Sequence, residues 1–195
     1  MTAIDSFHKP PYGWLSNFWP CKVRLDGQEY ASVEHAYQAA KYPIDQRGQF
    51  IGCTAGEAKR RGRAAKLPLD WEAKKIDIMA SLIAQKFSQG VLALALKSTS
   101  DAELIEGNTW GDTFWGVCNG VGKNHLGKLL MEHRKVLIQQ DLNGRPDSLY
   151  SKPNNHGLSG KQDNRDETVP TAVRQEQETP EADHGGLQAQ VRELP

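Results

Sequence analysis

Two acidic residues, Glu34 in SVEHAYQAAK and Asp112 in NTWGDTFWG, stand where carboxylate chemistry can be read from the sequence. Breaking a glycosidic bond develops positive charge on the sugar. One carboxylate can stabilise that charge while a second carboxyl group manages a proton on water or on the leaving group. Spacing does not show that the two residues meet, and two unrelated acids, one solvated and one shaping a turn, are the plainer alternative. Glu34, Gln38 and Lys41 fall at i, i+4 and i+7 and share a helix face, beside an apolar stripe of Val33, Ala36, Tyr37 and Ala40.

The loop around Asp112 carries Trp110 and Trp115 among glycines, not on a helical stripe. Glycine lets backbone approach a ligand, and an indole face stacks a nucleobase for roughly 1 to 3 kcal/mol. A buried tryptophan pair is the competing reading. Further on, NGVGKNHLG places glycines and Lys123-Asn124 at the start of a helix, where free N–H groups and the dipole favour an anion. It matches neither a Walker A loop nor G-x-G-x-x-G, so a phosphate site and a capped turn stand level. His8, His35, His125 and His133 show no metal-ligand spacing, and no G-x-S-x-G elbow occurs.

These residues need a fold to position them. The 195 residues carry 24 basic and 24 acidic side chains. From Arg145 to Pro195 the chain has 6 basic and 9 acidic residues and lacks Trp, Phe, Ile and Met, which leaves +3 on the preceding body. Such a segment buries too little apolar surface to offset its ordering entropy, so residues 145–195 are expected to be a disordered polar tail after a single domain over 1–144. The small excess of positive charge suits an anionic ligand without indicating nucleic-acid binding. Cys21, Cys53 and Cys118 form no C-x-x-C pair, and MTAIDSFHKP has no apolar run, so the expected setting is the reducing cytoplasm, with no membrane span.

Within the body, FHKPPYGWLSNFWPC predicts an irregular packed loop. CKVRLDGQEY predicts a β-hairpin turning at Asp26-Gly27, and Ser32 predicts an N-cap for the helix that Pro43 limits. Thr54 and Glu57 have capping-box spacing ahead of a basic helix to about Lys66. Asp70 is expected to cap a longer helix bearing Trp71, Ile76, Met79, Ile83 and Phe87, followed after Gly90 by apolar VLALAL. A short strand over Glu103 to Glu106 and a last helix with Leu126, Leu130 and Leu137 on one face complete an α+β domain, mainly helical with a small sheet.

YGWLSNFWP, SVEHAYQAAK, EGNTWGDTFWG and GKNHLGKLLMEHR occur in the order and spacing of the NADAR family, the YbiA-like N-glycosidases, which the chain resembles from about Phe7 to Leu142. The resemblance implies hydrolysis of N-glycosidic bonds in ribosylated nucleotides. The substrates it implies are ADP-ribosyl-guanine, free or on nucleic acid, NAD-derived nucleotides, or ribose phosphates of the early riboflavin pathway. It implies Glu34 and Asp112 as catalytic carboxylates and Trp115, with Trp110, as the stacking surface. Asn17, Lys41, Lys123 and Asn124 would hold ribose and phosphate, and no cofactor or metal is implied. At 1.5 Å rise per residue, Glu34 and Lys41 would lie roughly 10 Å apart, suited to a sugar and its phosphate. Val117 stands where riboflavin-acting members tend to carry Asp, which turns the implied substrate toward the ADP-ribosyl or NAD type. The competing functions are a noncatalytic ADP-ribose reader and a purely structural domain; Glu34 and Asp112 on opposite sides of the fold would favour the latter.

Overall fold

The structure, a computed structural model, describes residues 3–88 and 90–143; the tail expected over 145–195 lies outside the described residues. Six short strands, β1 (Ala3–Ile4), β2 (Val23–Leu25), β3 (Gln28–Tyr30), β4 (Glu103–Leu104), β5 (Gly107–Asn108) and β6 (Val117–Cys118), pair only two by two. β1 runs parallel to β4, β2 antiparallel to β3, and β5 parallel to β6. The bulk is helical: α1 (Val33–Ala39), α2 (Ala55–Arg63), α3 (Trp71–Phe87), α4 (Gly90–Ser98) and α5 (His125–Asn143), with 3-10 turns at Gly13–Leu15 and Ile44–Phe50. This is the mainly helical α+β architecture that the sequence predicts.

Local chemistry accounts for most boundaries. Asp26 and Gly27 have φ of 48° and 81°, the two positive values that a two-residue hairpin turn requires, and they bring Val23 opposite Tyr30. The Ser32 Oγ accepts the His35 N–H at the start of α1. Thr54 and Glu57 form both halves of the capping box that opens α2. That helix stops at Arg63, short of Lys66, where Ala64 closes the last turn on the Arg61 and Gly62 carbonyls. Asp70 sits at the N-cap position of α3 but bonds no helix N–H, because its carboxylate pairs with Lys74 instead. VLALAL is helical, as the interior of α4.

The core gathers Phe7, Leu15, Val23, Phe50, Met79, Ile83, Phe87, Leu96, Leu104 and Leu130 around α1, which packs against α2, α3 and the β2–β3 hairpin. All seven residues of α1 are buried, so its polar side chains must find partners inside the protein. His35 does so structurally: Nδ1 lies 2.7 Å from Ser32 Oγ and Nε2 lies 2.8 Å from the Cys53 carbonyl, an arrangement met by the Nε2–H tautomer. Gln38 and Glu34 pair with one another. The α1–α2 contact is close because Gly62 has no side chain; a Cβ there would lie 1.8 Å from Gln38 Oε1. Among the described residues no single helix is long and apolar enough to cross a membrane.

Candidate active site

A cavity of about 970 Å³ opens between the N-terminal segment, α1, α2 and the loop that follows β5. α1 turns Glu34, Tyr37, Gln38 and Lys41 toward it, so the polar face read from the sequence is a cavity wall, not a solvated surface. Asn17, Trp110, Asp112 and Trp115 line the same space. Glu34 and Asp112 therefore share one cavity and do not lie on opposite sides of the fold, the arrangement that would favour a purely structural domain.

Glu34 stands in the first turn of α1, where its backbone N–H donates to the Asn17 carbonyl at 2.9 Å. Its Oε1 accepts from Gln38 Nε2 at 2.9 Å. Burial pushes the carboxyl above its ordinary range, while the Gln38 hydrogen bond and the positive charges of Lys59 and Lys41 pull it back. Asp112 also shapes the loop that carries it. Its Oδ1 accepts the N–H groups of Phe114 and Trp115 at 3.1 and 2.9 Å, and the Asn108 side chain clasps its backbone. The turn-forming and cavity-lining readings of this residue thus hold together.

Lys41, Lys59 and Arg63 bring positive charge to the same cavity. Lys41 Nζ donates to the Gly62 carbonyl at 3.3 Å and lies over the rings of Tyr37 and Trp71; burial lowers its pKa. Lys59 and Arg63 of α2 join it. Neither was expected from the sequence, although their i, i+4 spacing on a basic helix is the signal that places them on one face. Lys59 Nζ sits 5.4 Å from the Phe18 ring and 5.2 Å from the Trp110 ring. Trp110 is half exposed at the mouth, whereas Trp115 lies deeper with Tyr37 and Phe114 packed edge-on against it.

A third carboxyl group, Glu106, also faces the cavity and was not anticipated. It is 8% exposed and pairs with His8 across 3.3 Å. The parallel β1–β4 ladder, with Ile4 beside Leu104, brings these two distant residues together. A faint signal existed: Glu106 is two residues after buried Leu104 and so in phase with the inward side of a strand.

Lys123 and Asn124, expected at the phosphate, are not among the residues that line this cavity. Asn124, at φ 51°, accepts the Glu106 N–H with Oδ1 and donates Nδ2 to the Leu104 carbonyl, so its amide is a staple between α5 and β4. Lys123 turns toward the Phe114 ring, 5.7 Å away. The residues before α5 are a capped turn.

Known proteins share this architecture. The family model described as the NADAR domain matches residues 6–138. The chain is 39% identical over 134 residues to the N-glycosidase YbiA of Escherichia coli K12, covering 65% of this chain and 82% of that protein. It is 37% identical over 136 residues to an N-glycosidase of Nostoc punctiforme, covering 65% and 86%. A riboflavin biosynthesis protein of Vibrio vulnificus is 34% identical over 140 residues, 67% of this chain but 38% of that longer protein. The NMR structure of E. coli YbiA superposes with a TM-score of 0.67 at 32% identity, covering 75% of this chain and 92% of that one.

Proposed function

We propose, for a chain that belongs to the NADAR family and is a hydrolase of N-glycosyl compounds, that the substrate is a ribosylated nucleotide whose sugar is held between Glu34 and Asp112. The observation that carries this reading is the meeting of acids, cations and indoles on one cavity. A nucleotide presents three chemistries in sequence, a flat base, a sugar and an anionic phosphate, and the wall offers a partner for each. Trp110 at the mouth and Trp115 deeper in supply stacking faces. Lys41, with Lys59 and Arg63, offsets phosphate charge. Asn17 fixes the start of α1 through its carbonyl and lines the sugar end.

Glu34 acts as carboxylate in this scheme. Its hydrogen bond from Gln38, the neighbouring lysines and the N-terminal end of α1 all favour the charged form against the burial that opposes it. The carboxylate orients the attacking water and stabilises the oxocarbenium-like sugar, with Asp112 adding negative charge from the loop. ADP-ribosyl-guanine and NAD-derived nucleotides are the preferred substrate types, supported by Val117 after Trp115-Gly116. Similarity to a riboflavin biosynthesis protein supports ribose phosphates of that type instead.

Release of free base from ADP-ribosylated guanine, from NAD and from a pyrimidine ribose phosphate, measured for the wild type and Glu34→Gln, tests the proposal. One of the three is expected to be cleaved, with kcat falling about 10²- to 10⁴-fold in the variant. Equal turnover by Glu34→Gln removes Glu34 from the chemistry. Recovery of every ligand intact removes this substrate class.

A further inference from the structure

We propose that Glu106 and His8 form a one-proton pair that supplies the proton to the departing base, a role separate from the work of Glu34 and Asp112 on water and sugar. The inference rests on the N-glycosidase reading of the cavity given above.

The geometry is that of a carboxyl group that cannot easily hold a charge. Glu106 Oε1 lies 3.3 Å from His8 Nε2, while Oε2 is enclosed and has no hydrogen-bond partner among the described residues. A carboxylate oxygen sealed from both water and donors is the least favourable place for negative charge. The charged groups that act on it are mixed: Asp112 of the loop and Glu34 of α1 disfavour ionisation, whereas Lys59 of α2 and Lys86 of α3 favour it. Burial and the two acids prevail, and the Glu106 carboxyl is pushed up to about 8. His8 moves the other way, lowered by burial and by Lys59. Its Nε2 faces Glu106, where in the neutral ring it can accept a carboxylic O–H. One proton thus serves two groups, and the enclosed Oε2 and the burial of the carboxyl favour placing it on Glu106.

Position assigns the use of that proton. The His8 ring lies edge-on to Trp110 with centroids 4.8 Å apart, and both line the cavity with Glu106. A base stacked on Trp110 is therefore next to the pair. Burial raises the pKa of both Glu34 and Glu106. Glu34, however, accepts from Gln38 and lies near Lys41, which favour its charged form, whereas Glu106 Oε2 has no hydrogen-bond partner among the described residues. These surroundings point Glu34 to the base and Glu106 to the acid. In the step, the C1′–N bond breaks and its electron pair goes to the base nitrogen, which takes the proton from Glu106. The oxygen of water bonds to C1′ and its proton passes to the Glu34 carboxylate and then to solvent. The pair regains a proton through His8, whose side chain is one-third exposed.

The test uses two leaving groups. Nicotinamide departs from NAD as a neutral molecule and needs no proton; guanine amine departing from ADP-ribose does. Glu106→Gln is expected to lower kcat about 10²- to 10⁴-fold for the base that must be protonated and to lower nicotinamide release by a much smaller factor. An equal loss on both overturns the assignment. If the variant does not fold, the wild-type pH profiles decide: release of guanine should fall above about pH 8 while nicotinamide release persists, and parallel profiles overturn the proposal. If the wild type cleaves neither compound, the substrate reading fails on its own account, and the pair is judged by NMR of the His8 ring nitrogens in the unliganded protein. A His8 that titrates below an ordinary histidine, and changes tautomer or titration in Glu106→Gln, supports the pair. A His8 that titrates alike in both proteins overturns it.

Discussion

Substituting Gly62 by alanine probes the junction between the two helices that build the cavity wall. A Cβ at this position would meet Gln38 at Oε1, Cδ and Cβ, at 1.8, 2.6 and 2.9 Å. The first two contacts belong to a side-chain end that can swing away, but the third is fixed to α1, so rotation alone does not relieve it. Moving the amide also strips Glu34 of the 2.9 Å hydrogen bond from Gln38. Overpacking costs about 1–3 kcal/mol, a lost hydrogen bond to a charged group about 1.5–3, and the helix-propensity gain of alanine returns about 1, for a net loss of about 1.5–5 kcal/mol. Urea unfolding measures it. With its Gln38 partner displaced, Glu34 loses an influence that lowers its pKa, so the acidic limb of the pH–rate profile moves to higher pH. Adding Gln38→Ala makes room for the new methyl group, and the double variant should be more stable than the sum of the single effects. A Gly62→Ala protein as stable as the wild type, with an unchanged pH profile, would refute the reasoning.

Further outcomes follow from the same geometry. Lys41→Ala and Arg63→Ala should each raise KM for a phosphorylated substrate several-fold while altering KM for its dephosphorylated analogue little, measured by steady-state kinetics. Glu106 is uncharged in the fold at pH values where the unfolded chain ionises it, so its burial favours the fold below about pH 4.5 and that advantage is lost as pH rises toward about 8. Glu106→Gln should therefore gain stability relative to the wild type across that interval, as followed by thermal unfolding. Thr54→Ala removes the capping box of α2 and should cost about 1 kcal/mol in urea unfolding.

The features that local chemistry dictates were legible in the sequence. Asp26-Gly27 announced its hairpin, Ser32 and Thr54 their helices, and the apolar stripes most of the core. Glu34 was legible because its neighbours on α1 repeat at helical intervals. Asp112 and the tryptophans were legible because a glycine-rich loop with indoles is poor material for a regular element. The partners of the Asn124 amide were not legible, because glycines ahead of a helix read alike whether the side chain meets an anion or the Leu104 and Glu106 backbone. His8 and Glu106 escaped because nothing local joins them; their meeting depends on a ladder between strands nearly a hundred positions apart. Asp70 shows a smaller version of the same limit, a capping residue diverted by a lysine one turn on.

That β1–β4 ladder also imposes an order on biosynthesis. A ribosome adding roughly 5–20 residues per second keeps Ile4 waiting on the order of ten seconds for Leu104 to be made. Throughout that interval the ring-rich segment of the nascent polypeptide around Phe7 to Trp19 lacks the part of its eventual wall that Glu106, Asp112 and Trp115 supply, and chaperones have their opportunity to hold it.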